Sequence, residues 1–217
     1  MSRRASEFAG LSKAAYAAGD RGGIEDALRG FGLDPSRYTV LDETGTDALA
    51  VYCKDTDDIV IAVRGTDIGN NTGNRNRDVA QWPAIGLSTQ TSRVDDVKRL
   101  TNTIQAARPG VEIRFTGHSL GGWIATEVAS GSGYKAVIFN PGMGLKDMPF
   151  VSALRGTPQN ILVYSTTDWD DGTFDPTTAL APLGPFEVVS VKPLGDGFIG
   201  NHSIDNFKSI PDSDQLI

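Results

Sequence analysis

The segment Gly117-His118-Ser119-Leu120-Gly121-Gly122 sets a serine hydroxyl between glycines two residues before and two residues after it. Glycines at those offsets permit a tight, strained turn. The flanks supply its context, because residues 111–116 alternate as a strand and residues 120–129 read as a helix. In a strand–turn–helix arrangement the serine Oγ projects off the C-terminal edge of a sheet. The helix N-terminus behind it presents N–H groups and a positive dipole end to developing negative charge. The chemistry this allows is nucleophilic attack on a carbonyl carbon, with Ser119 as nucleophile and the backbone N–H of Leu120 as one oxyanion donor.

A serine nucleophile needs a general base, most often histidine. The chain holds two, His118 and His202. His118 adjoins the nucleophile, and its side chain leaves the turn in a different direction from that of Ser119. His202, in a loop near the C-terminus, is therefore assigned the base. The acid that orients it belongs between the two, at the end of a parallel strand. A strand at 161–164 leads into Ser165-Thr166-Thr167-Asp168-Trp169-Asp170-Asp171. Asp168 is nearest the strand end and is the first candidate, with Asp170 the alternative. Asp171, Asp175 and Asp147 are read as loop charges, and Asp196 and Asp205 sit too close to His202 in sequence to orient it.

The remaining elements must bring these groups together. Residues 5–18 and 23–31 read as two short helices, and residues 38–41, 49–53 and 59–63 as strands of an antiparallel meander. Residues 93–107 carry Val94, Val97, Leu100, Ile104 and Ala107 at helical spacing, ended by Pro109-Gly110. Beyond the elbow, residues 136–139, 161–164 and 187–191 read as strands, with Gly131 and Gly133 closing the helix between, and residues 203–209 as a short helix. Strands alternating with helices imply parallel βαβ units. Residues 65–92 form a long Gly-, Asn- and Arg-rich stretch with one apolar island (Trp82, Pro83, Ile85 and Leu87), and stretches of that length are usually functional. A single domain over residues 1–217 accounts for the pattern.

The bulk composition excludes several classes. A net charge of −7, from 20 basic and 27 acidic residues, argues against nucleic acid as a partner. A local basic patch is still expected where Arg64, Arg75, Arg77, Arg93, Lys98 and Arg99 fall in one stretch. The one cysteine, Cys53, lies in an apolar run and reads as a small buried hydrophobe, and no Cys/His cluster has zinc spacing. The segment 1–19 has two arginines and no sustained apolar core, so it reads as an amphipathic helix and not a Sec signal. The expected location is cytoplasmic by default, or secreted by a route without a Sec signal. No metal or organic cofactor is implied.

Taken in order, Val63-Arg64-Gly65-Thr66, the elbow, Phe139-Asn140-Pro141-Gly142, the stretch from Val163 to Asp168, and His202 resemble the class 3 lipases, the fungal triacylglycerol lipase-like family that includes phospholipase A1-type members. The elbow is common to many hydrolases, whereas the Arg-Gly-Thr element is far more particular to this family. The resemblance covers about residues 38–207. It implies an α/β-hydrolase fold: a central, mostly parallel sheet with antiparallel N-terminal strands and helices on both faces. It also implies that Thr66 gives the second oxyanion donor through its backbone N–H, that Asp168 is the acid, and that a lid lies in residues 68–92. The chain departs from the family in having no histidine near Gly86 to Thr91, where an H-x-G-F pattern is usual.

The expected activity is hydrolysis of lipid or other acyl esters through an acyl-enzyme, with a small-molecule or lipid ester as substrate and transient contact with a membrane or micelle surface. The alternatives are a thioesterase, amidase or acyltransferase on the same triad, a phospholipase effector delivered to other cells, or a non-catalytic hydrolase-like binding module. The sequence leaves acyl length, head group and oligomeric state open.

Overall fold

The structure, a computed structural model, describes residues 4–66, 90–142, 160–168, 173–174, 187–194 and 197–210. Five helices are described: α1 (Ala5–Ala14), α2 (Arg21–Gly30), α3 (Gln90–Ala107), α4 (Leu120–Ser132) and α5 (Gly197–His202). Short 3-10 turns sit at Ala15–Ala17, Pro35–Arg37 and Ile204–Phe207. The strands are β1 (Tyr38–Val40), β2 (Ala48–Cys53), β3 (Asp58–Val63), β4 (Glu112–His118), β5 (Lys135–Phe139), β6 (Ile161–Asp168), β7 (Thr173–Phe174) and β8 (Glu187–Val191).

These strands make one sheet in the order β1-β2-β3-β4-β5-β6, with β8 on β6. The β1–β2 and β2–β3 pairs are antiparallel. The β3–β4, β4–β5, β5–β6 and β6–β8 pairs are parallel. The short β7 runs antiparallel to the end of β6. This is the mixed sheet expected from the alternation of strands and helices, with its antiparallel part at the N-terminal side.

Strand periodicity decides how each face is covered. Leu49 and Val51 of β2, Val60 and Ala62 of β3, Val137 and Phe139 of β5, and Leu162 and Tyr164 of β6 pack with α1, α2 and the C-terminal 3-10 turn. Their neighbours, among them Ala50, Ile59, Ile61, Val63, Ile138 and Val163, pack with α3 and α4 on the other face. β3 and β5 are therefore apolar on both faces, as strands covered on two sides must be. Cys53 is buried in the first of these layers.

Several boundaries differ from the sequence reading. β4 continues through Gly117 to His118, and β6 continues four residues past Tyr164 because Ser165 and Thr166 are buried and hydrogen-bonded. α4 runs through Gly131 and ends at Gly133, whose φ of 74° suits a left-handed C-cap. On α3, Ala107 is exposed, and Thr101 takes the buried position by bonding its hydroxyl to the Val97 carbonyl. His202 is the last residue of α5 and not part of a loop. The candidate lid content at Trp82, Pro83, Ile85 and Leu87 lies outside the described residues.

Candidate active site

The elbow occupies the exit of β4, the central strand, between β3 and β5. Ser119 has φ 58° and ψ −130°, a conformation costly for a residue with a Cβ. Backbone bonds hold it there. Its N–H donates to the Phe139 carbonyl (3.1 Å), and its own carbonyl accepts from Trp123 (3.1 Å) and Gly142 (3.0 Å). The glycines leave the necessary room. A Cβ on Gly117 would come within 2.5 Å of the Gly121 carbonyl, and one on Gly121 would strike the Val63 carbonyl oxygen and stand 2.8 Å from the Gly65 nitrogen. Leu120 opens α4, so its N–H has no partner within the helix.

β3 ends beside this turn, with Val63 in register with Gly117. The chain then runs through Arg64, Gly65 and Thr66. A Cβ on Gly65 would sit 2.6 Å from the His118 carbonyl oxygen and 3.3 Å from the Ser119 Cβ, so this backbone passes directly against Ser119. Its course is fixed from outside. The Arg93 guanidinium donates to the Arg64 carbonyl (2.6 Å), and the Asp47 carboxylate pairs with both Arg64 (3.3 Å) and Arg93 (3.4 Å). Two arginines expected to contribute to a basic patch are instead paired with Asp47 beside the Gly65-Thr66 stretch, and Arg99 pairs with Asp96. Arg75 and Arg77 lie outside the described residues.

His202 arrives at the same place from α5. It is 4% exposed, and its ring lies 4.8 Å, centroid to centroid, from that of His118. Its approach is set by two carbonyls. The Asn201 carbonyl accepts from Asn140 Nδ2 (3.3 Å), Thr166 Oγ1 (2.5 Å) and Asn206 Nδ2 (3.0 Å). The His202 carbonyl is bonded to His118 Nε2 (2.6 Å). Asn140 also accepts from the Thr166 N–H (2.9 Å), so one buried amide joins the ends of β5 and β6 to the histidine-bearing turn. It does so at φ 40°, a left-handed conformation that asparagine tolerates better than most residues.

Asp168 ends β6, next to the β5 end that supports Ser119, and its backbone pairs with Thr173. The alternatives Asp170, Asp171, Asp175 and Asp147 lie outside the described residues. Thr66 follows Gly65 directly and is half-buried. Ser119, Leu120, Gly65-Thr66, His202 and the Asp168 backbone thus converge at the C-terminal ends of β3 to β6. Asn140, Thr166, Asn206 and Asp47 have no role in the sequence reading, and Arg93 figures there only as part of a basic patch. Asn140 carries a legible signal all the same, since it sits in the quoted Phe139-Asn140-Pro141-Gly142 stretch.

Burial holds the His118 imidazole well below its ordinary pKa of 6.5, with repulsion from His202 acting in the same direction. The unfolded chain binds a proton near pH 6.5 that the folded chain refuses. Lowering the pH through that value therefore favours unfolding, by up to about 1.4 kcal/mol per pH unit. Urea unfolding at pH 7.5 and 5.5 should show a larger loss of stability in the wild type than in His118→Gln. Equal losses would mean that His118 titrates normally.

Comparison with known proteins gives this geometry a family. Residues 7–167 match the model of the Tle-like phospholipase domain, in the phospholipase-like group. The chain belongs to that family. The match takes in the Arg-Gly-Thr stretch and the elbow, stops one residue before Asp168, and does not reach His202. Among solved structures, the Tle-like domain is similar to a single-residue mutant of MDLA from Penicillium cyclopium, at 19% identity and a TM-score of 0.53 over 89% of this chain and 80% of that one. It is also similar to Rhizomucor miehei lipase in its propeptide complex, at 16% identity and a TM-score of 0.51 over 96% and 77%. A fungal lipase gives 0.52 at 16% identity over 89% and 80%. At these identities the likeness is one of fold, and the fold is that of an α/β-hydrolase. No curated protein matches the chain. As a member of that family, the chain is an ester hydrolase of the phospholipase kind.

Proposed function

We propose that the Tle-like domain hydrolyses the carboxylic esters of phospholipids by acyl transfer, at transient contacts with a membrane or micelle surface. The observation that carries the chemistry is the convergence of a strained, glycine-cleared Ser119 with a buried His202 from a distant part of the chain. His202 takes the Ser119 proton as Oγ attacks the ester carbonyl. The amides of Leu120 and Thr66 bind the oxyanion, and His202 returns the proton to the departing alcohol. Asp168 holds the imidazole tautomer and stabilises its charged form. Water, deprotonated by His202, then releases the fatty acid. The family match favours a phospholipid over a simple soluble ester.

The test is hydrolysis of p-nitrophenyl esters of increasing acyl length, alongside phosphatidylcholine in mixed micelles. Activity that rises with chain length and with micelle formation, and extends to the phospholipid, is expected. Activity confined to short soluble esters would make the protein a plain esterase. The acid is tested separately. Asp168→Asn should lower kcat by roughly 10^3 to 10^4 by leaving the histidine in the wrong tautomer, while Asp170→Asn should cost less than about tenfold. The reverse ranking would move the acid to Asp170.

A further inference from the structure

The mechanism leaves one buried imidazole without a role. His118 cannot accept the Ser119 proton, because both its ring nitrogens are bonded elsewhere: Nε2 to the His202 carbonyl at 2.6 Å and Nδ1 to the Tyr16 hydroxyl at 2.9 Å. Those partners dictate its tautomer. A carbonyl oxygen only accepts, so Nε2 carries the hydrogen, and Nδ1 then accepts from Tyr16 O–H. The bond to His202 joins the residue that precedes the nucleophile to the backbone of the residue that carries the base, across a sequence separation of 84.

Tyr16 is itself held. It sits on the 3-10 turn that ends α1, and α1 is pinned to β4 by the buried Ser12–Thr116 hydroxyl pair (2.8 Å), in which Thr116 donates on to the Val137 carbonyl (2.7 Å). Lys13, one turn earlier, pairs with Asp205 just beyond His202 at 3.6 Å. The Tyr16 hydroxyl also stands in the space that a Cβ on Gly65 would fill, so it abuts the oxyanion stretch as well. We propose that His118, fixed as its Nε2–H tautomer by Tyr16, is a positioning residue that sets His202 relative to Ser119, and that α1 is thereby part of the active-site framework.

The proposal rests on the reading of Ser119 and His202 as nucleophile and base, and its test separates the two. Purified Tyr16→Phe, His118→Phe, His118→Gln and the double variant Tyr16→Phe/His118→Phe are compared with wild type and Ser119→Ala on one p-nitrophenyl ester, with circular dichroism as the check on folding. His118→Phe should lower kcat by roughly 10- to 100-fold with KM little changed, the scale expected when a reacting group is displaced by about an ångström. Tyr16→Phe should lower kcat by roughly 3- to 10-fold. The double variant should be no worse than His118→Phe, because the tyrosine acts through the histidine, and His118→Gln, which retains an N–H donor, should recover part of the loss. Folded variants with wild-type kcat, or losses in Tyr16→Phe and His118→Phe that multiply in the double variant, would overturn the proposal while leaving the nucleophile assignment intact. If His118→Phe does not fold, the kcat of Tyr16→Phe and the rescue by His118→Gln decide the matter. A Ser119→Ala variant as active as wild type would instead overturn the underlying reading.

Discussion

Ser119→Ala should lower ester turnover by roughly 10^4 to 10^6, with the fold unchanged. The size of the loss follows from what remains. On the proposed mechanism the variant keeps the Leu120 and Thr66 amides and His202, but nothing is left to form the acyl-enzyme. The fold should survive because the backbone at this position is held by three main-chain bonds, to Phe139, Trp123 and Gly142, none of which uses the hydroxyl. Initial rates on a p-nitrophenyl ester and thermal unfolding on the same preparation check both halves. A loss of less than about tenfold in a folded variant would mean that another group supplies the nucleophile.

The second large effect concerns Gly121. An alanine there would drive its methyl into the Val63 carbonyl oxygen and to within 2.8 Å of the Gly65 nitrogen. These are backbone atoms at the mouth of β3, so they cannot rotate aside as a side-chain tip would. Either α4 lifts from the sheet or the Arg64–Thr66 stretch moves away from Ser119. Gly121→Ala should therefore destabilise the domain by about 3 kcal/mol or more and abolish activity. Gly30→Ala is the control. It is a helical position with open space around the added carbon, and stability there should hold or rise slightly. Urea unfolding of the two variants beside wild type measures the difference. Similar stabilities would show that the elbow has slack that the packing does not suggest.

Much of this site is legible in the amino-acid sequence. Gly117-His118-Ser119-Leu120-Gly121 works through local geometry, and the strand before it and the helix after it have unmistakable periods. The direction in which the His118 side chain leaves the turn argues against it as base, and its ring does go to Tyr16 and the His202 carbonyl. What escapes the sequence is tertiary. Tyr16 lies 102 positions from His118, and only the docking of α1 on β4 brings them together. Thr166 reads as the start of a loop because it is polar, yet a buried threonine bonded to Asn140 extends β6 as well as an apolar residue would. Arg64 and Arg93 read as a surface patch, because the aspartate that pairs with both, Asp47, precedes them by two strands, β2 and β3.

The most direct test of the central claim is labelling with a fluorophosphonate followed by mass mapping of the modified peptide. One adduct per chain is expected, on Ser119, forming in step with the loss of esterase activity and markedly slowed in His202→Ala. An enzyme that hydrolyses esters while Ser119 stays unmodified, or that is inactivated by an adduct on another residue, would contradict it.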